Sequence, residues 1–162
     1  MPAFEMTFEV PPVPDAVEDR IVELLDATIA EHLGVRTATI LVDAHDCVAA
    51  AAAALDLFQH AGVTPRRLVD DLVTRTQIAE RVGVTRQAVS NWVSGVRQVG
   101  SEFPPPYVLT GGGLWLWGEV VDYLRGIGVA VEEDATFPTR REAQLVADLI
   151  ASARATEVLT SR

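Results

Sequence analysis

Residues 75–94 read RTQIAERVGVTRQAVSNWVS, and this stretch decides what the middle of the chain can be. Ile78, Val82, Val84, Val89 and Trp92 fall where two short helices must bury side chains against each other. Ala79 stands where crossing helices leave room only for a small side chain. Gly83 stands where the turn between them needs a positive φ. Thr74 and Gln77 have the spacing of a capping box for the first helix, and Thr85 caps the second. All the structural positions of a helix-turn-helix are satisfied at once.

The other positions of the second helix are polar. Arg86, Gln87, Ser90, Asn91 and Ser94 share the face opposite Val89 and Trp92. That face carries donors and no carboxylate. Arginine matches the O6/N7 edge of guanine, and glutamine or asparagine matches the N6/N7 edge of adenine. The residues expected to contact bases are therefore Arg86, Gln87, Ser90 and Asn91. The expected phosphate contacts are Arg75, Thr85 and Arg97, with Arg81 next. The expected partner is double-stranded DNA. A single motif of this size offers few base contacts, so a homodimer on a two-fold operator is expected.

Charge makes that face more telling. The 162 residues carry 23 acids and 13 bases, for a net charge of −10, and every base is arginine. Residues 1–72 hold 13 acids and 4 arginines, residues 73–125 hold 4 and 5, and residues 126–162 hold 6 and 4. The bulk field repels phosphate, so non-specific nucleic-acid binding is disfavoured and any phosphate-facing surface belongs in the middle third. An alternative reading keeps the helix-turn-helix as a scaffold. The chain is then a protein-interaction adaptor whose acidic N-terminal module meets a basic partner.

Outward from the motif, Phe4, Met6, Phe8 and Val10 alternate with polar residues and read as a strand with one buried face. Pro11, Pro12 and Pro14 end it, and Asp15 opens a helix whose apolar stripe runs from Val17 to Leu33, with Gly34 as its stop. Thr37–Ala44 reads as a second strand and Asp46 to about His60 as an alanine-rich helix stopped by Gly62. Arg66–Val73 is a weaker third strand. The expectation is an α+β fold. A two-layer βαβαβ module over 1–72, for dimerisation or sensing of a protein or small molecule, precedes the helix-turn-helix domain over 73–126. A linker and an amphipathic helix follow over 127–162, the helix opened by a capping box at Thr139 and Glu142. Tyr107–Leu109 and Leu114–Leu116 flank Thr110–Gly113 as a hairpin, Trp117–Arg125 follows as a short helix, and a short extended piece is expected around Val129–Val131.

The stretch from about Asp71 to Arg125 resembles the winged helix-turn-helix of AlpA-like, excisionase and MerR-type transcriptional regulators. The likeness rests on TQIAERVGVTRQAVSNW and on GVRQVGSEFPPPYVLTGGGLWLWGEVVDYLR. Within the latter lie Phe103, Pro104 and Pro106, the hairpin at Gly111–Gly113, Glu119-Val120 and Tyr123-Leu124. The resemblance implies a sequence-specific regulator with a β-hairpin wing. Wings of that family commonly carry arginine or lysine. This tip has Thr110 and three glycines, which leaves phosphate contact to backbone N–H groups or Thr110. The whole chain also looks like small actinobacterial regulators that place a βαβαβ module before such a domain.

Other chemistry is thin. No catalytic constellation is legible, so no enzyme activity and no cofactor are expected. Cys47 is the one cysteine, which excludes an internal disulfide and a cysteine-based zinc site. It lies near a helix start, which would lower its pKa, although a small buried residue is the commoner case. Asp43, His45 and Asp46 cluster as metal ligands do, but capping explains Asp46 equally well; no metal is expected. Trp115 and Trp117 suit core packing better than base stacking. Arg140 and Arg141 sit in a first helical turn where the macrodipole disfavours cations. The longest apolar run, Val48–Leu55, cannot span a bilayer, and Met1–Val10 lacks a basic leader. A cytoplasmic, soluble chain is expected.

Overall fold

The computed structural model describes residues 1–95 and 101–162. It mixes helices and strands, and the chain divides into two compact units: residues 1–70 with 135–162, and residues 71–134.

In the first unit, β1 (Ala3–Glu9) runs through the middle of a four-stranded antiparallel sheet of order β2-β3-β1-β4. The element order is β1, α1 (Asp15–Leu25), β2 (Thr28–His32), β3 (Val35–Asp43), α2 (Cys47–Ala61), β4 (Arg67–Val69). This is the split β-α-β arrangement, β-α-β-β-α-β. Phe4, Met6, Phe8 and Val10 are buried, as the alternation predicts, and join Ile21, Leu25, Ile40 and Phe58 in one core. Ala50, Ala51, Ala54 and Ala61 of α2 are fully buried. Their small side chains let the helix lie close to its neighbours.

The expected βαβαβ order is corrected here, because the first helix is shorter than its apolar stripe suggests. Asp26 takes a left-handed φ of 48° and ends α1. Thr28–His32 then pairs with β3, Thr28 opposite Thr39 and His32 opposite Val35. Leu33 (φ 50°) and Gly34 (φ 77°) make the hairpin tip rather than a helix stop. Two residues with positive φ match the twist of paired strands. Leu24 and Leu33, placed on the helical stripe by periodicity, are exposed.

α6 (Arg140–Thr160) returns to this unit and does not form a separate third segment. Its Ala143, Val146 and Ile150 enter the core of the first unit. Its capping box is as the sequence predicts, with the Glu142 backbone N–H donating to Thr139 Oγ1 and Glu142 receiving the Thr139 N–H. The extended piece expected near Val129–Val131 does not form; Thr136 instead bridges Phe4.

Cys47 is buried at the start of α2. Burial pushes its thiol pKa up to about 12, aided by Glu142 and Asp46, so the lowering expected from a helix start is outweighed. Native protein at pH 8 should therefore resist maleimide labelling, while protein unfolded in urea labels at once; rapid native labelling would show the thiol to be exposed.

In the second unit, β5 (Leu72–Val73) pairs antiparallel with β6 (Trp115–Leu116). The single strand expected over Arg66–Val73 is thus two strands, β4 and β5, in different sheets. α3 (Arg75–Val82), α4 (Arg86–Ser94) and α5 (Trp117–Gly126) pack around Trp115, Trp117, Ile78, Val89, Val120 and Leu124, all buried. Phe103 joins them edge-on, 6.0 Å from the Trp115 ring and 4.9 Å from Tyr123. Trp92, expected in the core, is half-buried at its margin, 6.4 Å from Tyr123. Among the described residues, no helix is long and apolar enough to cross a membrane.

Candidate nucleic-acid interface

Two capped helices fix the candidate face. Thr74 Oγ1 accepts from the Gln77 backbone N–H at 3.1 Å, and Gln77 Oε1 accepts from the Thr74 N–H at 2.9 Å. Gly83 ends α3 at φ 75°, its N–H donating to the Ala79 carbonyl. No atom lies within 4 Å of where its Cβ would stand, so glycine serves the backbone angle and not the packing. Thr85 Oγ1 accepts from the Ala88 N–H at 3.1 Å and starts α4. Gly95 ends α4, its N–H donating to Asn91 and Trp92 carbonyls. Ile78, Ala79 and Val89 are buried between the helices.

This leaves the polar side of α4 outward. Arg86 and Gln87 are exposed, Ser90 and Asn91 half-buried. Gln87 Nε2 donates to Asn91 Oδ1 at 3.0 Å, one helical turn apart. The two amides thus hold each other in place. Gln87 Oε1 remains to accept and Asn91 Nδ2 to donate, and adenine's major-groove edge offers the complementary donor and acceptor. Ser94 Oγ turns back to the Asn91 carbonyl at 3.2 Å.

The expected phosphate contacts are placed unequally. Thr85 is spent on its cap, although a cap leaves its side chain exposed at the helix start. Arg75 lies over the Trp115 ring, its guanidinium carbon 5.5 Å from the ring centre, with its Nε buried and unbonded. Arg81 lies over Trp117 at 4.9 Å and forms two hydrogen bonds to Asp71, of 2.7 and 3.0 Å. Stacking and pairing hold these two cations against their own unit. Arg97 lies outside the described residues. Sequence reasoning missed the role of both tryptophans as platforms for arginine; nothing in the local pattern joins Arg75 to Trp115 or Arg81 to Trp117.

Of the hairpin expected here, one antiparallel bridge forms, Val108 to Leu114, closing a tight turn, while Trp115 and Leu116 pair with β5 instead. The Leu114 carbonyl accepts from Tyr107 and Val108, and Leu114 donates back to Val108 at 2.8 Å. Thr110–Gly112 makes one 3-10 turn between them. Gly113 (φ 96°) is required twice over: its conformation suits glycine, and a Cβ there would stand 2.9 Å from the Trp115 ring. Trp115 Nε1 donates to the Pro104 carbonyl and Trp117 Nε1 to Glu133, so both indoles are built into the unit. Burial raises the pKa of the Tyr123 hydroxyl.

Elsewhere, His45 lies 3.2 Å from Asp46, whose other oxygen caps α2. Among the described residues no three histidine, cysteine or carboxylate side chains gather as metal ligands do. No family model, curated protein or solved structure matches the chain.

Proposed function

We propose that the chain is a sequence-specific DNA-binding transcriptional regulator, acting as a homodimer, with α3 and α4 as a helix-turn-helix and α4 in the major groove. In this reading the turn at Thr110–Gly113 is a short wing. The observation that carries the proposal is the outward face of α4. In a chain of net charge −10, this face has no carboxylate, and it presents Arg86 beside a mutually bonded Gln87–Asn91 pair. Such amides read base edges, and phosphate contacts cannot replace them.

The test is selection of DNA sites with the purified protein, followed by affinities on the best site and on scrambled sequence. Gln87→Ala and Asn91→Ala are each expected to cost about 1–3 kcal/mol on the selected site and little on scrambled DNA. Arg86→Ala should weaken both, since arginine also supplies charge. Folded Gln87 and Asn91 variants that keep the wild-type specificity ratio would overturn the assignment and favour the adaptor, which uses the acidic module alone.

Salt dependence gives an independent check. With Arg75 and Arg81 engaged within their own unit, the charges this reading counts on beside the duplex are Arg97 at a phosphate and Arg86, whose guanidinium reads a base and also offsets phosphate charge. A dimer then neutralises about four phosphates, and log affinity should fall against log salt with a slope of roughly −4. A slope steeper than about −9 would mean that a basic surface elsewhere carries binding.

A further inference from the structure

We infer that the homodimer forms through the edge strand β2, whose backbone joins β2 of a second copy in antiparallel register with Ala30 opposite the partner's Ala30. The inference deepens the dimer part of the proposed function, and its test uses no DNA, so the two can fail separately.

The argument starts from which backbone groups the sheet leaves unused. Val10 N–H donates to the Arg36 carbonyl, and Ala44 N–H to the Pro2 carbonyl. With Phe4 opposite Val42 and Phe8 opposite Ala38, the even-numbered residues of β3 bond to β1. The odd ones, Val35, Thr37 and Thr39, therefore bond to His32, Ala30 and Thr28 of β2. By the same alternation, the N–H and C=O groups of Ile29 and Glu31 point away from the sheet.

A strand edge is usually blunted by proline, charged side chains, an inward-pointing charge, a bulge or shortness. The opposite edge, β4, has three residues, follows Pro65 and carries Arg67. β2 has five residues, TIAEH, with no proline and no basic residue other than His32; its one carboxylate, Glu31, is paired by Arg36, and pairing runs without a break from Thr28 to His32.

Only one register of β2 on itself satisfies all the constraints. A shift by an odd number would set the helix-covered face of one sheet beside the open face of the other. Setting Glu31 opposite the partner's Glu31 would juxtapose like charges. Setting Ile29 opposite the partner's Ile29 would leave Glu31 opposite the partner's Ala27, beyond the strand. With Ala30 on the two-fold axis, Ile29 lies opposite the partner's Glu31 and Glu31 opposite the partner's Ile29. Four backbone hydrogen bonds then use every outward group of both strands. On the open face Thr28 meets the partner's His32, with no like charges opposed. Glu31 is already neutralised by Arg36 at 2.9 Å. Leu33, 89% exposed at the hairpin tip, comes opposite the partner's Ala27, next to the end of the partner's α1, where Val22 and Leu24 are also exposed. The pair would cover this exposed apolar tip.

The register makes disulfide trapping decisive. Across the axis the Ala30 Cα atoms should stand about 4.5 Å apart as a non-hydrogen-bonded pair, inside the roughly 4.4–6.8 Å a disulfide spans. Full-length Ala30→Cys should oxidise to a covalent dimer, while the wild-type protein, whose Cys47 is buried, should not. Thr28→Cys alone and His32→Cys alone should stay unlinked, but a mixture of the two should cross-link. Glu31→Pro removes an outward N–H and should shift the sedimenting species from dimer to monomer with an unchanged circular dichroism spectrum. A monomer for the wild-type chain at micromolar concentration would overturn the inference. So would a dimer in which Ala30→Cys fails to link, or one in which Thr28→Cys links to itself.

Discussion

Trp115→Ala is expected to unfold residues 71–134 while leaving the other unit folded. The indole is 2% exposed and is a hub of its unit. Phe103 meets it edge-on at 6.0 Å, Arg75 stacks on it at 5.5 Å, and its Nε1 bonds to the Pro104 carbonyl. Truncation removes the ring, opens a cavity and leaves a carbonyl and a buried guanidinium nitrogen without their neighbour. The cost should be about 3–5 kcal/mol, a large share of what a small unit has in reserve. Calorimetry should show an early transition absent from the wild-type protein, and limited proteolysis should cut within 71–134 first. Trp92→Ala, at a half-buried position, should cost clearly less. A single transition at the wild-type temperature for Trp115→Ala would refute this view of the core.

Phe8→Ala should be as damaging to the first unit. Phe8 is fully buried in the central strand, opposite Ala38 on one side and Leu68 on the other. Its ring meets Phe58 of α2 edge-on at 5.4 Å, joining sheet to helix layer. Loss of the ring should cost about 3–5 kcal/mol, whereas Phe8→Leu, which keeps most of the volume, should cost less than about 2 kcal/mol. Urea midpoints of the two variants, followed by far-ultraviolet circular dichroism, check the ordering. Equal midpoints would mean that this core tolerates a cavity at its centre.

The elements that could be read from sequence are those fixed by neighbours in the chain. The capping boxes at Thr74 and Thr139, the cap at Thr85 and the turn at Gly83 are each set within four residues, and they form as the pattern predicts. β2 was hidden because Leu25, Ile29 and Leu33 continue the four-residue spacing of α1. The switch lies in one left-handed residue, Asp26, whose type gives only a faint signal. The split of Arg66–Val73 depends on partners far along the chain, Glu9 for Arg67 and Leu116 for Leu72. The same holds for the candidate interface. The outward face of α4 is helical arithmetic, but the loss of Arg75 and Arg81 to Trp115 and Trp117 is a matter of tertiary packing, and a count of charges is blind to it.

The place of residues 71–134 between β4 and α6 also sets an order of events during synthesis. All of the middle unit has been made once Asp134 is added, while the first unit still lacks Ala143, Val146 and Ile150 of its core. A ribosome adding residues one at a time thus completes the later-starting unit before the earlier one. Until α6 emerges, the sheet of β1–β4 has its four strands but lacks the helix that completes its cover. A chain released after residue 134 would hold all of residues 71–134, together with a first unit whose apolar surface still lacks its last helix.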